Sequence, residues 1–215
     1  MAHIHLVGTN HVAAASSEKL KKAVETYHPS ILAIELDKHR FDALLKGMQP
    51  SKPSFALLRL VGIRGFFFAM IASYAQRRIG AIVNVTPGSE FLTAAALAKE
   101  KNISLALIDR NIFITLRRLH TSFKFRHLFR FLIRGMRGKI KQPRFALDSV
   151  PSPQIVAELL EVFKKELPGL YLPLVDERNK VMARNLQAIA REHPNATIVA
   201  VMGAAHVKGV QELLS

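Results

Sequence analysis

The chain has 215 residues, of which 49% are hydrophobic and 22% are charged, and it contains no cysteine. This composition suits one folded core and excludes disulfides, thiolate nucleophiles and cysteine-based metal sites. A metal ion would therefore have to bind His, Asp or Glu. The formal net charge of +15 predicts an anionic partner. The amino terminus enters an apolar strand pattern at once and shows no secretory signal, so we expect a cytoplasmic protein.

Apolar runs alternate with amphipathic segments along the whole chain. The predicted strands are His3–Val7, Ile31–Glu35, Ile103–Ile108 and Ala196–Met202. The predicted helices cover residues 16–28, a short segment ending near 45, 86–101, 111–137, 152–167, 174–193 and 207–214. This alternation predicts a single α/β domain over residues 1–215, with a central mixed, partly parallel sheet flanked by helices.

The pattern Gly-x-x-His occurs twice, each time directly after a predicted strand. The first copy is "GTNH", which ends at His11, and the second is "GAAH", which ends at His206. In a parallel α/β sheet the carboxyl ends of the strands meet at one edge, where ligands bind. The two imidazoles are therefore candidate ligands of one divalent metal, with the glycines allowing a sharp backbone turn. The alternative is that each histidine is a cap or a hydrogen-bonded core residue.

Two glutamates are candidate acidic site residues. Glu35 follows four apolar residues at the end of the second strand, so its carboxylate is either buried and bound to a metal or a cation, or wet because the buried strand ends at Ile34. Glu90 lies near a helix N-terminus that begins at Thr86. It is a candidate metal ligand or general base, or a carboxylate that only complements the helix dipole.

Two arginines are candidate supporting charges. Arg178 has apolar residues three and four positions away on both sides, so its guanidinium should point inward and needs an anionic partner. Arg110 directly follows the third strand, with Asp109 as a possible partner. Each arginine could stabilise an oxyanion during hydrolysis or form a purely structural ion pair.

The interval between Asp109 and Asp148 contains no Asp or Glu and much of the positive charge. Its basic residues are Arg110, Arg117, Arg118, Lys124, Arg126, Arg130, Arg134, Arg137, Lys139, Lys141 and Arg144. With interleaved phenylalanines this predicts a basic amphipathic helical insertion around 111–141, suited to an anionic membrane surface. Nucleic acid is the less favoured partner, and a solvated basic face is the third alternative. The apolar stretch around Phe66–Phe68 indicates a greasy surface, such as a homodimer interface.

Several segments together resemble one known family. They are "GTNH", "AIELD", "PGSEF", "LIDRNIFITLRR", "LVDERNKVMARNL" and "VMGAAHVKGV". In this order they resemble the TraB/PrgY family, which is linked with pheromone shutdown. That family is similar to the Tiki metalloproteases and to the erythromycin esterase-like and ChaN-like proteins. The resemblance covers most of the chain.

The resemblance implies an α/β domain that carries peptidase-like hydrolysis at a divalent metal, Zn, Mn or Co. It implies metal-binding roles for His11, Glu35 and His206, and catalytic roles for Glu90, Arg110 and Arg178. We therefore expect a metal-dependent hydrolase that acts on a peptide at the inner face of a membrane. The alternatives are a non-catalytic module that sequesters a peptide and a nucleic-acid-binding protein.

Overall fold

The computed structural model describes residues 2–9, 13–47, 58–63, 66–67, 69–70, 89–124, 133 and 153–215. The strands are β1 (His3–Thr9), β2 (Ile31–Ile34), β3 (Ser104–Leu107) and β4 (Thr197–Gly203). The helices are α1 (Ala13–Tyr27), α2 (Lys38–Leu45), α3 (Ser89–Glu100), α4 (Ile112–Ser122), α5 (Pro153–Glu166), α6 (Pro168–Tyr171), a π-helical turn (Leu172–Asp176), α7 (Glu177–Glu192) and α8 (Ala204–Leu214). Residues 58–63, 66–67, 69–70 and 133 are also helical.

The four strands form one sheet in the order β1-β4-β2-β3, and every neighbouring pair is parallel. The predicted α/β fold with helices on both sides of a partly parallel sheet is therefore confirmed, but the sheet was expected to be mixed and within the described residues all of its pairs are parallel. The last strand in sequence, β4, lies between β1 and β2. This arrangement brings the carboxyl ends of the first, second and last strands side by side, because parallel strands all end at the same edge.

Alternate side chains of the strands enter two different cores, as the two-residue period of a strand requires. On one face, Leu32, Ile34, Val199 and Val201 pack with buried residues of α1 and α3. On the other face, Ile31, Ala33, Ile198, Ala200 and Met202 pack with α7 and α8. The sheet is thus covered on both sides, which explains why its central strands are continuous apolar runs.

A third, smaller core lies beside the sheet. It joins Leu119 and Phe123, at the end of α4, to Leu167 and Leu170 around α6. Gly169 makes this contact possible, since a Cβ atom there would lie 2.4 Å from the carbonyl oxygen of Ser122. This core holds α4 against the start of the long helical run that contains α7.

Some element ends differ from the sequence prediction. Helix α8 begins at Ala204, not at Val207, so His206 lies in a helical first turn and not in a loop. The predicted basic helix over 111–137 is wrong in its middle, because α4 ends at Ser122 and Phe123 takes an extended conformation. Apart from Ile133, the rest of the predicted 111–141 insertion lies outside the described residues, as does Phe68 of the apolar stretch.

One irregular turn precedes α7. Residues 172–176 are π-helical, and the backbone N–H of Glu177 donates to the carbonyl of Leu172. Such wide turns are uncommon and change the direction of nearby carbonyls and side chains. Within the described ranges, no helix is both long and apolar enough to cross a membrane.

Candidate functional site

The carboxyl edge of the sheet gathers charged side chains from elements that are far apart in sequence. Glu35 follows β2, Asp109 follows β3, and His206 lies in the first turn of α8 after β4. Arg178, from the first turn of α7, lies among them and contacts all three. We call Glu35, Asp109, Arg178 and His206 the edge cluster.

Glu35 is buried, with 7% of its surface exposed, so the prediction of a buried carboxylate is the correct one of the two alternatives. Its Oε2 atom accepts a hydrogen bond of 2.6 Å from the backbone N–H of Gly203, the residue that caps α8. Its Oε1 atom accepts a hydrogen bond from Nη2 of Arg178. The carboxylate thus lies at a helix N-terminus and next to a guanidinium, and both attract a negative charge.

His206 is buried, and both of its ring nitrogens have defined contacts. Its Nδ1 atom lies 2.6 Å from Oδ1 of Asn179, and its Nε2 atom lies 3.1 Å from Nη1 of Arg178. A guanidinium can only donate, so Nε2 must be the acceptor and carry no proton. The proton is then on Nδ1, which donates to Asn179. His206 therefore presents the Nε2 lone pair to the cluster.

Arg178 is the central cation of the cluster. Its Nη2 atom lies 2.7 Å from Oδ2 of Asp109 and its Nε atom 3.2 Å from Oδ1, while Nη1 also approaches the carbonyl of Leu174 at 3.3 Å. Burial alone would lower the pKa of Arg178, but the charges of Glu35 and Asp109 and their hydrogen bonds raise it above its ordinary value. Arg178 is therefore permanently charged.

Asp109 connects the edge cluster to a second arginine. Arg40 donates to Oδ2 of Asp109 at 2.6 Å and to Oδ2 of Asp37 at 2.6 Å. Burial raises the pKa of Asp109, but hydrogen bonding and attraction to Arg178, with help from Arg40 and the backbone N–H of Arg110, bring it below its ordinary value. Glu35, Asp37 and Asp109 thus face two guanidiniums, which leaves one net negative charge.

Arg110 belongs to a separate network. Its guanidinium donates to the hydroxyl of Thr115 at 2.9 Å, to Glu177 at 2.7 Å and to the carbonyl of Pro173 at 2.7 Å. Arg118 donates to the same carboxylate at 2.6 Å. Within the described part of the chain, Arg110 contacts the edge cluster through its backbone N–H, which donates to Asp109. Its side chain therefore supports the turn before α7, and the catalytic role predicted for Arg110 stays a prediction.

Two glycines let α8 approach its neighbours. A Cβ atom at Gly209 would lie 2.2 Å from Nδ2 of Asn179, so only glycine leaves room for the amide that holds His206. A Cβ atom at Gly8 would lie 3.1 Å from Cγ2 of Val207. Gly203 has an ordinary φ of −58°. No left-handed conformation therefore requires glycine at Gly203, whereas at Gly8 the structure shows a close approach to α8, as expected of these glycines.

The predicted site residues divide into three groups. Glu35, Arg178 and His206 meet in the edge cluster, and the side chain of Arg110 points elsewhere. His11 lies outside the described residues. The backbone of Glu90 lies in the first turn of α3, but its side chain lies outside what the structure describes.

Sequence reasoning missed the partners that hold these residues. Asn179 was not singled out, although it directly follows Arg178 and is buried at 5% exposure. Asp37 and Arg40 were also missed as a linked pair, although Asp37 stands two residues after Glu35. An N-cap aspartate followed three residues later by arginine was the available signal, since Asp37 caps α2 through the backbone of Arg40.

The edge cluster contains two side-chain atoms with the spacing of metal ligands. Among the described residues, no group of three or more His, Asp and Glu side chains is arranged to hold an ion. Two donors do have suitable spacing: Nε2 of His206 lies 3.4 Å from Oε1 of Glu35. Adjacent ligand atoms of a tetrahedral zinc site, with bonds of about 2.0–2.1 Å, are about 3.3–3.4 Å apart. The pair therefore fits two corners of such a site, with Arg178 as its present cation.

The strand register relates the two strands that precede the Gly-x-x-His histidines. Thr9, the last residue of β1, pairs with Gly203, the last residue of β4. The two strands therefore end side by side at the same edge of the sheet, and in the sequence His11 stands two residues after Thr9.

The comparisons with known proteins agree with this architecture. The model of the TraB/PrgY/gumN family matches residues 2–215. An uncharacterized protein of Methanocaldococcus jannaschii is 31% identical over 215 residues, which cover 98% of this chain and 53% of that protein. The chain thus spans about half the length of this relative. With a parallel α/β sheet, the edge cluster and a family match over nearly its whole length, the chain belongs to the TraB/PrgY/gumN family.

Proposed function

We propose that the carboxyl edge of the sheet is the active site of a metal-dependent hydrolase that cleaves a peptide. His206 and Glu35 supply two ligands of a divalent ion, Zn²⁺, Mn²⁺ or Co²⁺, and His11 supplies the third. The observation that carries the proposal is the 3.4 Å separation of Nε2 of His206 from Oε1 of Glu35, together with the lone pair that His206 presents.

The surroundings of His206 support a ligand role. Metal-binding histidines almost always donate their other ring N–H to a partner that fixes the tautomer and the ring orientation. Asn179 is such a partner, at 2.6 Å from Nδ1. The packing of Asn179 against Gly209 holds that amide in place.

The local charge also favours a cation. The chain as a whole has a formal net charge of +15, yet Glu35, Asp37 and Asp109 outnumber Arg40 and Arg178 by one. An excess of carboxylate in a buried place is costly unless a cation compensates it. A bound divalent ion would compensate this excess negative charge.

The proposed chemistry is hydrolysis by an activated water. A bound divalent ion supplies Lewis acidity and lowers the pKa of a water molecule at the site. Glu90 takes up the proton of the attacking water, a role that rests on the family resemblance. Arg178 donates N–H groups to the oxygen on which negative charge develops in the peptide carbonyl. Asp109 orients Arg178 by hydrogen bonds to Nε and Nη2.

The proposal is tested by metal analysis and peptide turnover on one set of samples. Protein stripped with chelator is reloaded with Zn²⁺, Mn²⁺ or Co²⁺ and assayed on a quenched-fluorescence peptide library. Turnover should appear only with metal, and His206→Ala should abolish both stoichiometric metal binding and turnover. His193→Ala is the matched control, because His193 is exposed at the end of α7. Equal metal content and turnover in His206→Ala and the unaltered protein would refute the proposal.

A non-catalytic peptide-binding module is the second candidate. It is favoured by the contacts of Arg178, which donates to His206, Glu35 and Asp109 and so places a guanidinium at this edge. In that case the same edge captures a peptide carboxylate through Arg178. Peptide binding that persists in chelator, with no turnover under any metal, would favour this module over the hydrolase.

We further propose that the basic interval between Asp109 and Asp148 associates with an anionic membrane surface. Its eleven Lys and Arg residues occur without any Asp or Glu, and polybasic segments bind anionic lipid by charge. Arg110 and Arg118 do not contribute, because Glu177 already pairs with both. Co-sedimentation with phosphatidylserine vesicles, compared with binding to random DNA at the same salt concentration, tests this. Binding to DNA but not to vesicles would refute it.

A further inference from the structure

We propose that Arg178 and a divalent cation compete for the same two ligand atoms, so that Arg178 acts as an internal cation that must withdraw before a metal can bind. This inference rests on the metal site of the proposed function. It goes further by assigning Arg178 a second role, control of metal occupancy, in addition to any contact with substrate.

The competition follows from the chemistry of His206. A neutral imidazole has one nitrogen with a lone pair, and in His206 this nitrogen is Nε2. That lone pair accepts the hydrogen bond from Nη1 of Arg178 at 3.1 Å. A single lone pair cannot accept this hydrogen bond and coordinate a metal at the same time. Coordination by His206 therefore requires Nη1 of Arg178 to leave.

The contact between Arg178 and Glu35 also requires Arg178 to leave before a metal can bind. Its Oε2 atom is engaged by the N–H of Gly203 at 2.6 Å, so Oε1 is the atom that faces His206. Oε1 is also the atom that accepts from Nη2 of Arg178. Arg178 thus donates to both atoms whose spacing fits a metal site. The arginine satisfies the buried carboxylate in the absence of a metal, as a buried charge requires.

Asp109 is a second counter-ion of Arg178, separate from Glu35. It binds Nε and Nη2 of Arg178 through two different oxygens, at 3.2 and 2.7 Å. Nη2 is shared with Glu35, whereas Nε donates to Asp109 alone. Arg178 can therefore keep Asp109 as its counter-ion through Nε while the two Nη atoms release the ligand atoms. Its Nη1 donor, freed from His206, is then available for a substrate oxygen, so metal loading and the release of this donor are one event.

The competition predicts that removal of Arg178 strengthens metal binding. We would measure the affinity for Zn²⁺ by competition with a chromophoric chelator, in the unaltered protein and in Arg178→Gln. The variant should bind Zn²⁺ at least about fivefold more tightly, the lower end of typical coupling between linked binding events. In turn, Zn²⁺ should raise the unfolding midpoint of Arg178→Gln more than that of the unaltered protein.

Arg40→Gln is the control for a change of charge alone. Arg40 contacts Asp109 and Asp37 in the same charged region, but its hydrogen bonds do not include Glu35 or His206. Its substitution removes one positive charge without freeing either ligand atom. The gain in Zn²⁺ affinity should therefore be clearly smaller than in Arg178→Gln. Equal gains in both variants would overturn the inference, because general electrostatics would then explain them.

A second variant covers the case in which Arg178→Gln does not fold. Arg178→Lys keeps the charge but has one nitrogen, so it cannot hold Asp109, Glu35 and His206 together as the guanidinium does. It should also bind Zn²⁺ more tightly than the unaltered protein. Equal or weaker binding in the folded variant would overturn the inference.

The outcomes separate this inference from the proposed function. Zinc binding that depends on His206 but is unaffected by Arg178 overturns the competition and leaves the metal site standing. Tighter zinc binding in Arg178→Gln, together with no peptide turnover by the metal-loaded unaltered protein, supports the competition and refutes the hydrolase. If His206→Ala changes zinc binding in no background, both fail.

Discussion

Two arginine networks meet at the start of α7, and adjacent residues belong to different ones. Glu177 joins Arg110 and Arg118 on one side, while Arg178 joins Glu35, Asp109 and His206 on the other. The π-helical turn before α7 provides a carbonyl to each network, that of Pro173 to Arg110 and that of Leu174 to Arg178. Both networks thus contact the same π-helical turn, but the other partners of their arginines differ.

The two networks differ in whether a metal ion could bind the arginine's partners in its place. In the Glu177 network two guanidiniums use a carboxylate, a hydroxyl and a backbone carbonyl, none of which forms a histidine-containing metal site. In the edge cluster the guanidinium contacts an imidazole lone pair and a buried carboxylate, which are ligands of choice for divalent metals. The comparison shows that a buried arginine indicates function only through the chemistry of its partners.

The largest expected effect is the loss of Glu35. Glu35→Ala leaves Arg178 with one carboxylate fewer and removes the acceptor of the Gly203 N–H. Breaking a buried ion pair from one side typically costs about 3–5 kcal/mol of unfolding free energy. Urea denaturation measures the loss, and Glu18→Ala, at an exposed position on α1, should have almost no effect. A loss from Glu35→Ala no larger than that from Glu18→Ala would contradict the assigned contacts.

Gly209→Ala should come next and act on the support of His206. The added Cβ atom would lie 2.2 Å from Nδ2 of Asn179, so the amide must move. Overpacking of this kind costs about 1–3 kcal/mol, and disturbance of the partner of a ligand histidine weakens metal binding about 10–100-fold. Denaturation and zinc titration measure the two effects. Gln211→Ala, exposed on the same helix, is the control, and equal behaviour of both variants would contradict the role of Asn179.

Acid should expose the contribution of the Glu177 network. Burial raises the pKa of Glu177, but hydrogen bonds from Arg118 and Arg110 and their charges lower it below its ordinary value. A carboxylate whose pKa is lower in the folded state stabilises the fold above its unfolded pKa, near about 4.3, and loses that contribution as pH falls through the folded value. Glu177→Gln should therefore lose less unfolding free energy than the unaltered protein when pH falls below about 4.3.

The result for Asp109 provides the internal reference for that experiment. Its pKa is also below the ordinary value, so the acid loss due to Asp109 should persist in Glu177→Gln. If the unfolding free energies of Glu177→Gln and of the unaltered protein fall identically with pH, the Arg110–Glu177–Arg118 pairing does not stabilise the fold.

The smallest effect should come from Arg118→Gln. The side chain of Arg118 is 49% exposed, whereas that of Arg110 is 9% exposed, although both pair with Glu177. A pair that includes an exposed cation contributes no more than about 1 kcal/mol. Thermal or urea unfolding should show a loss in this range, decreasing with added salt. A loss above about 2 kcal/mol, which is twice the upper limit for such pairs, would show that Arg118 and not Arg110 dominates the network.

The sequence was sufficient for the fold class and for the residues at the sheet edge. Alternating strands and helices predict a parallel sheet, and a parallel sheet brings the residues after its strands together. This reasoning placed Glu35 and His206 at one edge. The apolar neighbours of Arg178 likewise predicted an inward guanidinium with an anionic partner, and Glu35 and Asp109 are such partners.

The remaining features depend on contacts that no local pattern encodes. The hydrogen bond between Asn179 and His206 requires α7 and α8 to pack closely, and that packing depends on Gly209, a glycine inside a helix. The commitment of Arg110 to Glu177 depends on the direction of the π-helical turn. The break after Ser122 follows the burial of Phe123 in the third core, which overrode an amphipathic pattern that continues beyond it.

The central claim is that His206 is a ligand of a divalent metal at the carboxyl edge of the sheet. X-ray absorption at the zinc edge, recorded on stoichiometrically loaded protein, tests it most directly. The account predicts two imidazole ligands in the unaltered protein, and in His206→Ala a single imidazole ligand on the residual zinc, whose content falls below stoichiometric. Identical imidazole scattering in both samples, or zinc surrounded by oxygen alone, would contradict it.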